Sequence, residues 1–366
     1  MAMRKQCSLS VALLLALSGP QWAIADDNAV PILSSQGAVT QGIQRQDSPS
    51  ATAPSTPSKS SWQPTVDSPQ VPSSVSIKSA PLEMQKAKSW VSEVARNVHD
   101  LQYVDKLAQI YYAVGYTPLW QDSFVANEFE SQIRVLALAG IDPEFSRRYG
   151  MLQHFKQGND WRQYDLLATD TLLSYMSYVE SLPQYGKQWL FGSGLAMPLP
   201  LPSEAAIARI LNAVETNRLR YFVTSLKPLD ESYTRMVLAI NELQQLESAA
   251  WPTFYQRGII RLGAPLKQPE ALITVLHQLG DLTDYQAESL REKKVRYYNI
   301  DLVQAVKSFQ HRHGLKVDGV IGPKTRYWLG LSPKQRVRVL ALNTQRVRLW
   351  PMDVSSVLIV NIPGYP

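Results

Sequence analysis

Cysteine is almost missing from this 366-residue sequence: Cys7 is its one thiol. A mature chain that starts beyond it has none, which excludes disulfides, zinc–cysteine sites and cysteine nucleophilic catalysis within it. Histidine is scarce too. His311 and His313 are the closest pair, but at i and i+2 of a helix they point roughly 200° apart and do not readily share a metal ion. His313, close to a helix C-terminus, is expected to interact favourably with the negative end of the helix dipole. Glycine-rich phosphate loops are absent, and no apolar stretch beyond the N-terminus approaches transmembrane length. The carboxylate pairs Glu128/Glu130 and Asp281/Asp284 are expected on polar faces, away from any cleft of the kind a glycosidase needs. Nothing here asks for a cofactor or a metal.

What is present begins with an export signal. Arg4 and Lys5 supply a positive start, Val11 to Leu17 a short apolar run, Gly19-Pro20 a break, and Ala23-Ile24-Ala25 a small-residue cleavage site before Asp26. A periplasmic protein is expected, touching the membrane only transiently through this signal. From Asp26 to Ala80 the chain is dominated by Ser, Pro, Thr, Gln and Val, as in the run from Ser48 to Pro57. Such a segment buries too little apolar surface to offset its ordering entropy, so a disordered tether is expected.

The net charge of +6 is unevenly spread. Tyr285 to Trp350 carries 14 Lys and Arg against four acids, a net +10, so the remainder sums to about −4. A basic C-terminal third implies an anionic partner. For an exported chain that partner is the cell wall with its peptide carboxylates, and not nucleic acid. Anionic lipid and a simply solvated charged face are the other readings that charge alone allows.

Helical periodicity starts near Pro81. Val91, Val94, Val98, Leu101, Val104 and Leu107 recur at three- and four-residue steps. Phe129, Ile133 and Leu136 form a second stripe, stopped by Gly140. Leu166 to Leu182, Ser203 to Leu219 and Tyr233 to Leu246 also read as helices, with Ser203 and Glu204 as a cap after the proline-rich link Met197 to Pro202. Trp161, Trp189 and Trp251 could stack on sugar rings, although core packing is the favoured reading. A mainly α fold follows: a helical region over 81–255, then a small bundle over 260–335.

The bundle carries the sharpest local pattern. Pro269 to Leu279 forms one helix. Leu302, Val303, Val306 and Phe309 share the face of the next, and Gly314 caps it. Asp318-Gly319 makes a turn, and Gly322-Pro323 opens the third helix with proline where its missing N–H costs nothing. The string Ala305-Val306-Lys307-x-Phe309-Gln310-x-x-His313-Gly314-Leu315-x-x-Asp318-Gly319-x-x-Gly322-Pro323-x-Thr325 resembles the three-helix peptidoglycan-binding domain of bacterial wall enzymes. Most of its residues have structural reasons for their positions. Lys316, Lys324 and Arg326 flank the turn and the helix start, and are the candidate ligand-binding cations.

The rest of 81–366 resembles the large periplasmic L,D-transpeptidases, whose helical scaffold domain precedes that module. The matching pieces are Tyr111 to Trp120, Gly140-Ile141-Asp142-Pro143, Asp165 to Asp170, Leu226-Lys227-Pro228 with Tyr233, and Arg338 to Arg346. Residues 336–366 then read as a connector and a first strand, Leu358 to Tyr365, of a transpeptidase domain whose catalytic part is missing. That family's nucleophile is a cysteine in Ser-x-Gly-Cys-(Val/Ile)-Arg, paired with a histidine, and no residue here can inherit either role. The resemblance implies a truncated, catalytically silent wall protein that binds peptidoglycan, with other cell-wall synthesis proteins as further partners. The alternative it implies is an L,D-transpeptidase forming 3-3 cross-links whose activity went with the missing domain.

Overall fold

The structure, a computed structural model, describes residues 81–98, 101–192, 194–195, 198–247 and 250–349. The expected export signal, the expected Ser/Pro-rich tether and the expected strand from about Trp350 onward lie outside the described residues. Those described are mainly α-helical, in thirteen α-helices.

The first eight are α1 (Pro81–Val94), α2 (Val104–Ala113), α3 (Ser123–Ala139), α4 (Pro143–Gln157), α5 (Trp161–Phe191), α6 (Glu204–Glu215), α7 (Leu219–Ser225) and α8 (Glu231–Gln245). Their starts follow capping chemistry. Asp122, Asp142, Ser203 and Asp230 each accept a hydrogen bond from a first-turn backbone N–H, satisfying a donor the helix itself leaves free. Gly140 takes the left-handed conformation expected of it after α3.

α5 is the central element. Its residues from Tyr164 to Tyr178 are all buried, polar ones included. Two aspartates on it hold the loops in front of α2 and α3. Asp170 accepts from the backbone N–H of Gln102 (3.1 Å) and Tyr103 (2.9 Å), and Asp165 from those of Leu119 and Trp120 (2.8 Å each). The segment from Asp165 to Asp170 is therefore a fastening for loops. α5 also runs further than its periodicity indicated, through Pro183 to Phe191. Proline inside a helix removes one backbone bond, a cost of about 3 kcal/mol. Burial of Gly186, Trp189 and Leu190 beyond it offsets that loss. Gly186 sits at a close approach: a Cβ there would lie 2.5 Å from Leu349 Cδ2, so a larger residue would oblige that side chain to move.

The remaining helices are α9 (Pro269–Gln278), α10 (Asp284–Glu292), α11 (Ile300–Arg312), α12 (Pro323–Gly330) and α13 (Pro333–Arg346). α9, α11 and α12 are the three expected of the small bundle, and α10 is a further helix between the first two. Backbone pairs tie the segments around them. Ile260 and Ile321 exchange N–H···O bonds (3.2 and 3.1 Å), and Gly263 N and Leu266 N donate to Tyr298 O and Arg296 O (2.9 and 2.8 Å).

α13 joins the two groups of helices. Near its start, Arg336 donates through Nε to Leu331 O (3.1 Å) and through Nη1 to His313 Nε2 (3.1 Å). At its far end, Arg346 Nε donates to Leu190 O (2.9 Å), and Arg348, just past it, donates to Leu226 O (2.8 Å). α13 packs on α3 and α8 along the way.

Two of the four carboxylates expected on polar faces are buried. Glu130 is 7% exposed and accepts from Tyr164 Oη (2.5 Å) and Lys156 Nζ (3.0 Å). The Asp281 side chain is fully buried against Arg312. Burial raises the affinity of the Asp281 carboxyl for its proton, and the Arg312 guanidinium works against that rise. In both cases the partner comes from a helix elsewhere in the chain. Asp284 does face water, 2.7 Å from His277 Nε2.

Candidate functional site

The Asp318-Gly319 turn of the bundle is built around Gln310, which is 1% exposed. Its Nε2 lies within hydrogen-bond distance of Asp318 Oδ1 (3.1 Å), Val320 O (3.0 Å) and Thr325 Oγ1 (3.2 Å), and its Oε1 accepts from Gly319 N (2.8 Å). Tyr298 Oη donates to Gly319 O (2.7 Å). Gly319 has φ +71°, and a Cβ there would come within 2.7 Å of Val303 Cγ1, so only glycine fits. Partial burial opposes ionisation of Asp318, but bonds from Val320 N and Gln310 hold its carboxyl below the usual range. Gln310, Asp318, Gly319 and Thr325 thus lock the fold.

His313 does not play the role expected of it. It is 5% exposed, stacked on Phe309 at 3.9 Å between ring centroids. Its Nδ1 meets Phe309 O (2.8 Å) and its Nε2 meets Arg336 Nη1 (3.1 Å). One tautomer satisfies both, with Nδ1–H donating and Nε2 accepting. Burial, and then the Arg336 guanidinium, push its pKa well below the ordinary histidine value. A neutral imidazole in the core, and not a cation at a helix end, is the outcome.

Lys316, Lys324 and Arg326 stand in three different situations. The Lys316 side chain is 88% exposed and its Nζ already faces Asp318 Oδ2 at 3.9 Å. Arg326 is half-buried; its Nη2 donates to Gly258 O, clamping the segment before α9 against α12. Lys324 is exposed and makes no ion pair among the described residues.

That clamp leads to a surface the sequence reading passed over. The segment Tyr255 to Leu262 runs alongside residues 319–322 through the Ile260–Ile321 pair. Its continuation pairs with residues 296–298, where Pro265 lies opposite Tyr297. Ile260 and Tyr298 point into the core, while Tyr255, Ile259, Leu262, Tyr297 and Ile300 are at least half exposed. Arg257, Arg261 and Arg296, interleaved with them, are exposed and form no ion pair among the described residues. Together with Lys324 they make a basic and apolar face on the bundle. A sequence signal existed in Tyr255-x-Arg257-x-Ile259-x-Arg261-Leu262. It falls outside the basic third that begins at Tyr285, and so the charge count missed it.

Of the three tryptophans, Trp189 is core, stacked between Tyr178 and Tyr185. Trp251 is half-buried, and Trp161 is half-exposed with its edge against Tyr164. Elsewhere, a cavity of about 340 Å³ is lined by Gln102, Asp142, Glu144, Phe145, Ser174, Leu195, Pro198 and Leu199. Its two carboxylates are committed: Asp142 accepts from Glu144 N (2.9 Å), and Glu144 pairs with Arg147 and Arg148 (2.7 Å each). Among the described residues, no His, Cys, Asp and Glu group is arranged to hold a metal, and no helix is long and apolar enough to cross a membrane.

Comparison with known proteins bears on both groups of helices. Residues 105–239 match the family described as a scaffold domain, and residues 272–329 the family described as a putative peptidoglycan binding domain. A protein of Haemophilus influenzae named as a putative L,D-transpeptidase is 28% identical over 142 residues, which is 39% of this chain. The match covers 29% of that relative, so the chain corresponds to less than a third of its length. A scaffold domain followed by a peptidoglycan-binding domain, with a relative so named, supports the likeness of this chain to the L,D-transpeptidase family.

Proposed function

We propose that this chain is the peptidoglycan-binding, non-catalytic portion of an L,D-transpeptidase-like cell-wall protein, held on the wall by its small helical bundle. The observation that carries this reading is the match of residues 272–329 to a peptidoglycan-binding family, beside which Tyr255 to Leu262 adds exposed arginines and apolar groups. Peptidoglycan is a polyanion through its peptide carboxylates, and cations without internal partners are free to meet it. Arg336, Arg346 and Arg348 anchor α13 at both ends, so the bundle is attached to the scaffold helices through a packed helix and not through a loose link. Export to the periplasm by the N-terminal signal is part of the proposal.

Co-sedimentation of the chain with purified sacculi tests it. Pelleting that weakens as salt rises is the expected result, because exposed charges are screened within about 8 Å at physiological ionic strength. A chain that stays in the supernatant at low salt contradicts the reading. A second reading, cross-link formation, is favoured by the relative's name. A cysteine mechanism needs a thiol, and Cys7 is the one cysteine in the 366 residues. Under that reading the nucleophile belongs to a part of the protein outside them.

A further inference from the structure

We propose that the face formed by Tyr255 to Leu262, Arg296 to Ile300 and the start of α12 reads the carboxylates of the peptidoglycan stem peptide. Arg257, Arg261 and Arg296 bind these groups, and Tyr255 and Tyr297 cover the apolar parts of the peptide. The inference rests on the peptidoglycan-binding reading and narrows it to one ligand chemistry and one surface.

Four observations support the assignment. The backbone brings the segments that bear the three arginines together: Leu266 N donates to Arg296 O, Gly263 N to Tyr298 O and Ala264 N to Arg261 O, while the Gln256 side chain bonds Pro265 O (2.9 Å) and Lys267 N (2.7 Å). This pairing is held from below by Tyr298 Oη on Gly319 O and from the side by Arg326 on Gly258 O, so the arginines stand on fixed backbone. None of the three has an ion-pair partner among the described residues, whereas Arg291 and Arg312 of the same bundle are paired with Glu270 and Asp281. Tyr255 and Tyr297 are 64% and 61% exposed, large apolar groups left in water beside those charges.

The residue types select the ligand. A guanidinium presents a planar fork that matches a carboxylate with two parallel bonds, and arginine rather than lysine prevails on this face. Sugar hydroxyls carry no charge and gain little from such a fork. Stem peptides offer several free carboxylates along a short chain, with small apolar side chains between them. Lys316 is not part of this site, since Asp318 already faces it, and Arg326 acts by holding Gly258 in place.

The test uses the full chain and three variants: Arg257→Glu/Arg261→Glu/Arg296→Glu on the face, Tyr255→Ala/Tyr297→Ala, and Arg96→Glu/Arg162→Glu/Lys187→Glu on exposed scaffold positions as a charge-matched control. All substituted side chains are exposed, and unchanged circular dichroism and melting temperature verify folding. The probes are native sacculi, sacculi whose carboxylates have been converted to amides, and glycan strands stripped of peptide. Removal of three exposed charge pairs predicts roughly a ten-fold loss of affinity, and reversal a larger one. The face variant is expected to lose at least that much on native sacculi, and the control variant to bind like the unaltered chain. The tyrosine variant is expected to lose affinity while keeping its salt dependence. Amidated sacculi and bare glycan should bind the unaltered chain as weakly as native sacculi bind the face variant. Equal binding to native and amidated sacculi, or equal losses in the face and control variants, overturns the assignment and leaves wall binding standing. No binding to native sacculi overturns the peptidoglycan reading itself.

Discussion

The scaffold helices and the small bundle treat their charges in opposite ways. Residues 81–247 carry 15 Lys and Arg against 19 acids, a net −4, and their cations are largely used internally. Lys88 meets Asp105 (2.8 Å), Arg148 meets Asp170 (2.6 Å), Lys156 meets Glu130 (3.0 Å) and Lys227 meets Glu128 (2.9 Å). Residues 250–349 carry 17 Lys and Arg against seven acids, a net +10, and Arg257, Arg261, Arg296 and Lys324 have no partner among the described residues. Buried, paired charge fixes geometry, because losing one partner strands the other in a poor solvent. Exposed, unpaired charge contributes little to folding and remains available to a ligand. The scaffold pairs most of its cations with its own acids, and the bundle leaves a group of arginines exposed.

The comparison breaks most visibly at Arg148, whose side chain is fully buried on Asp170. Arg148→Ala leaves that carboxylate unpaired and should cost about 3–5 kcal/mol of stability by denaturant unfolding. A loss below 1 kcal/mol would remove the pair from the scaffold's essential contacts. Within the bundle, Gln310→Ala frees Gly319 N and opens the turn, with an expected cost of about 1–3 kcal/mol. Arg261→Glu, by contrast, should leave the melting temperature unchanged.

A pH series sharpens the contrast further. The folded state holds His313 with a pKa well below its unfolded value, so the unfolded chain binds the extra proton. Stability from this site is complete above about pH 6.5 and is lost as pH falls below it, by at most about 1.4 kcal/mol per pH unit. In His313→Gln that slope should vanish between pH 6.5 and 5; a slope that persists in the variant assigns it to other groups. The smallest effect is expected at Lys316. Lys316→Ala should alter neither melting temperature nor sacculus pelleting, and a clear loss of pelleting would extend the binding face to the Asp318 turn.

Much of the fold was legible because its signals are local. The caps at Gly140, Ser203 and Gly314 and the proline start of α12 behave as their residue types dictate. α10 was missed although Thr283 and Gln286 form a complete capping box, because its short apolar face, Ala287 and Leu290, gives little periodicity. The side chains whose surroundings the sequence did not indicate were set by partners distant in sequence. Glu130 is buried by Tyr164 and Lys156, Asp281 by Arg312, and His313 by Arg336 from a later helix. The binding face was missed for a related reason. Arg257, Arg261 and Arg296 lie up to 39 positions apart, and the pairing of 263–266 with 296–298, with the Gln256 side chain on Pro265 and Lys267, brings their segments together.

Sacculus pelleting across a salt series, with charge reversals on the two regions run side by side, decides whether the bundle carries a dedicated binding face. Reversal at Arg257, Arg261 and Arg296 should lower binding by at least roughly ten-fold and flatten its salt dependence. The same charge change at Arg96, Arg162 and Lys187 should do neither. Equal losses from both reversals would show that net charge alone holds the chain to the wall, and would contradict a dedicated face on the bundle.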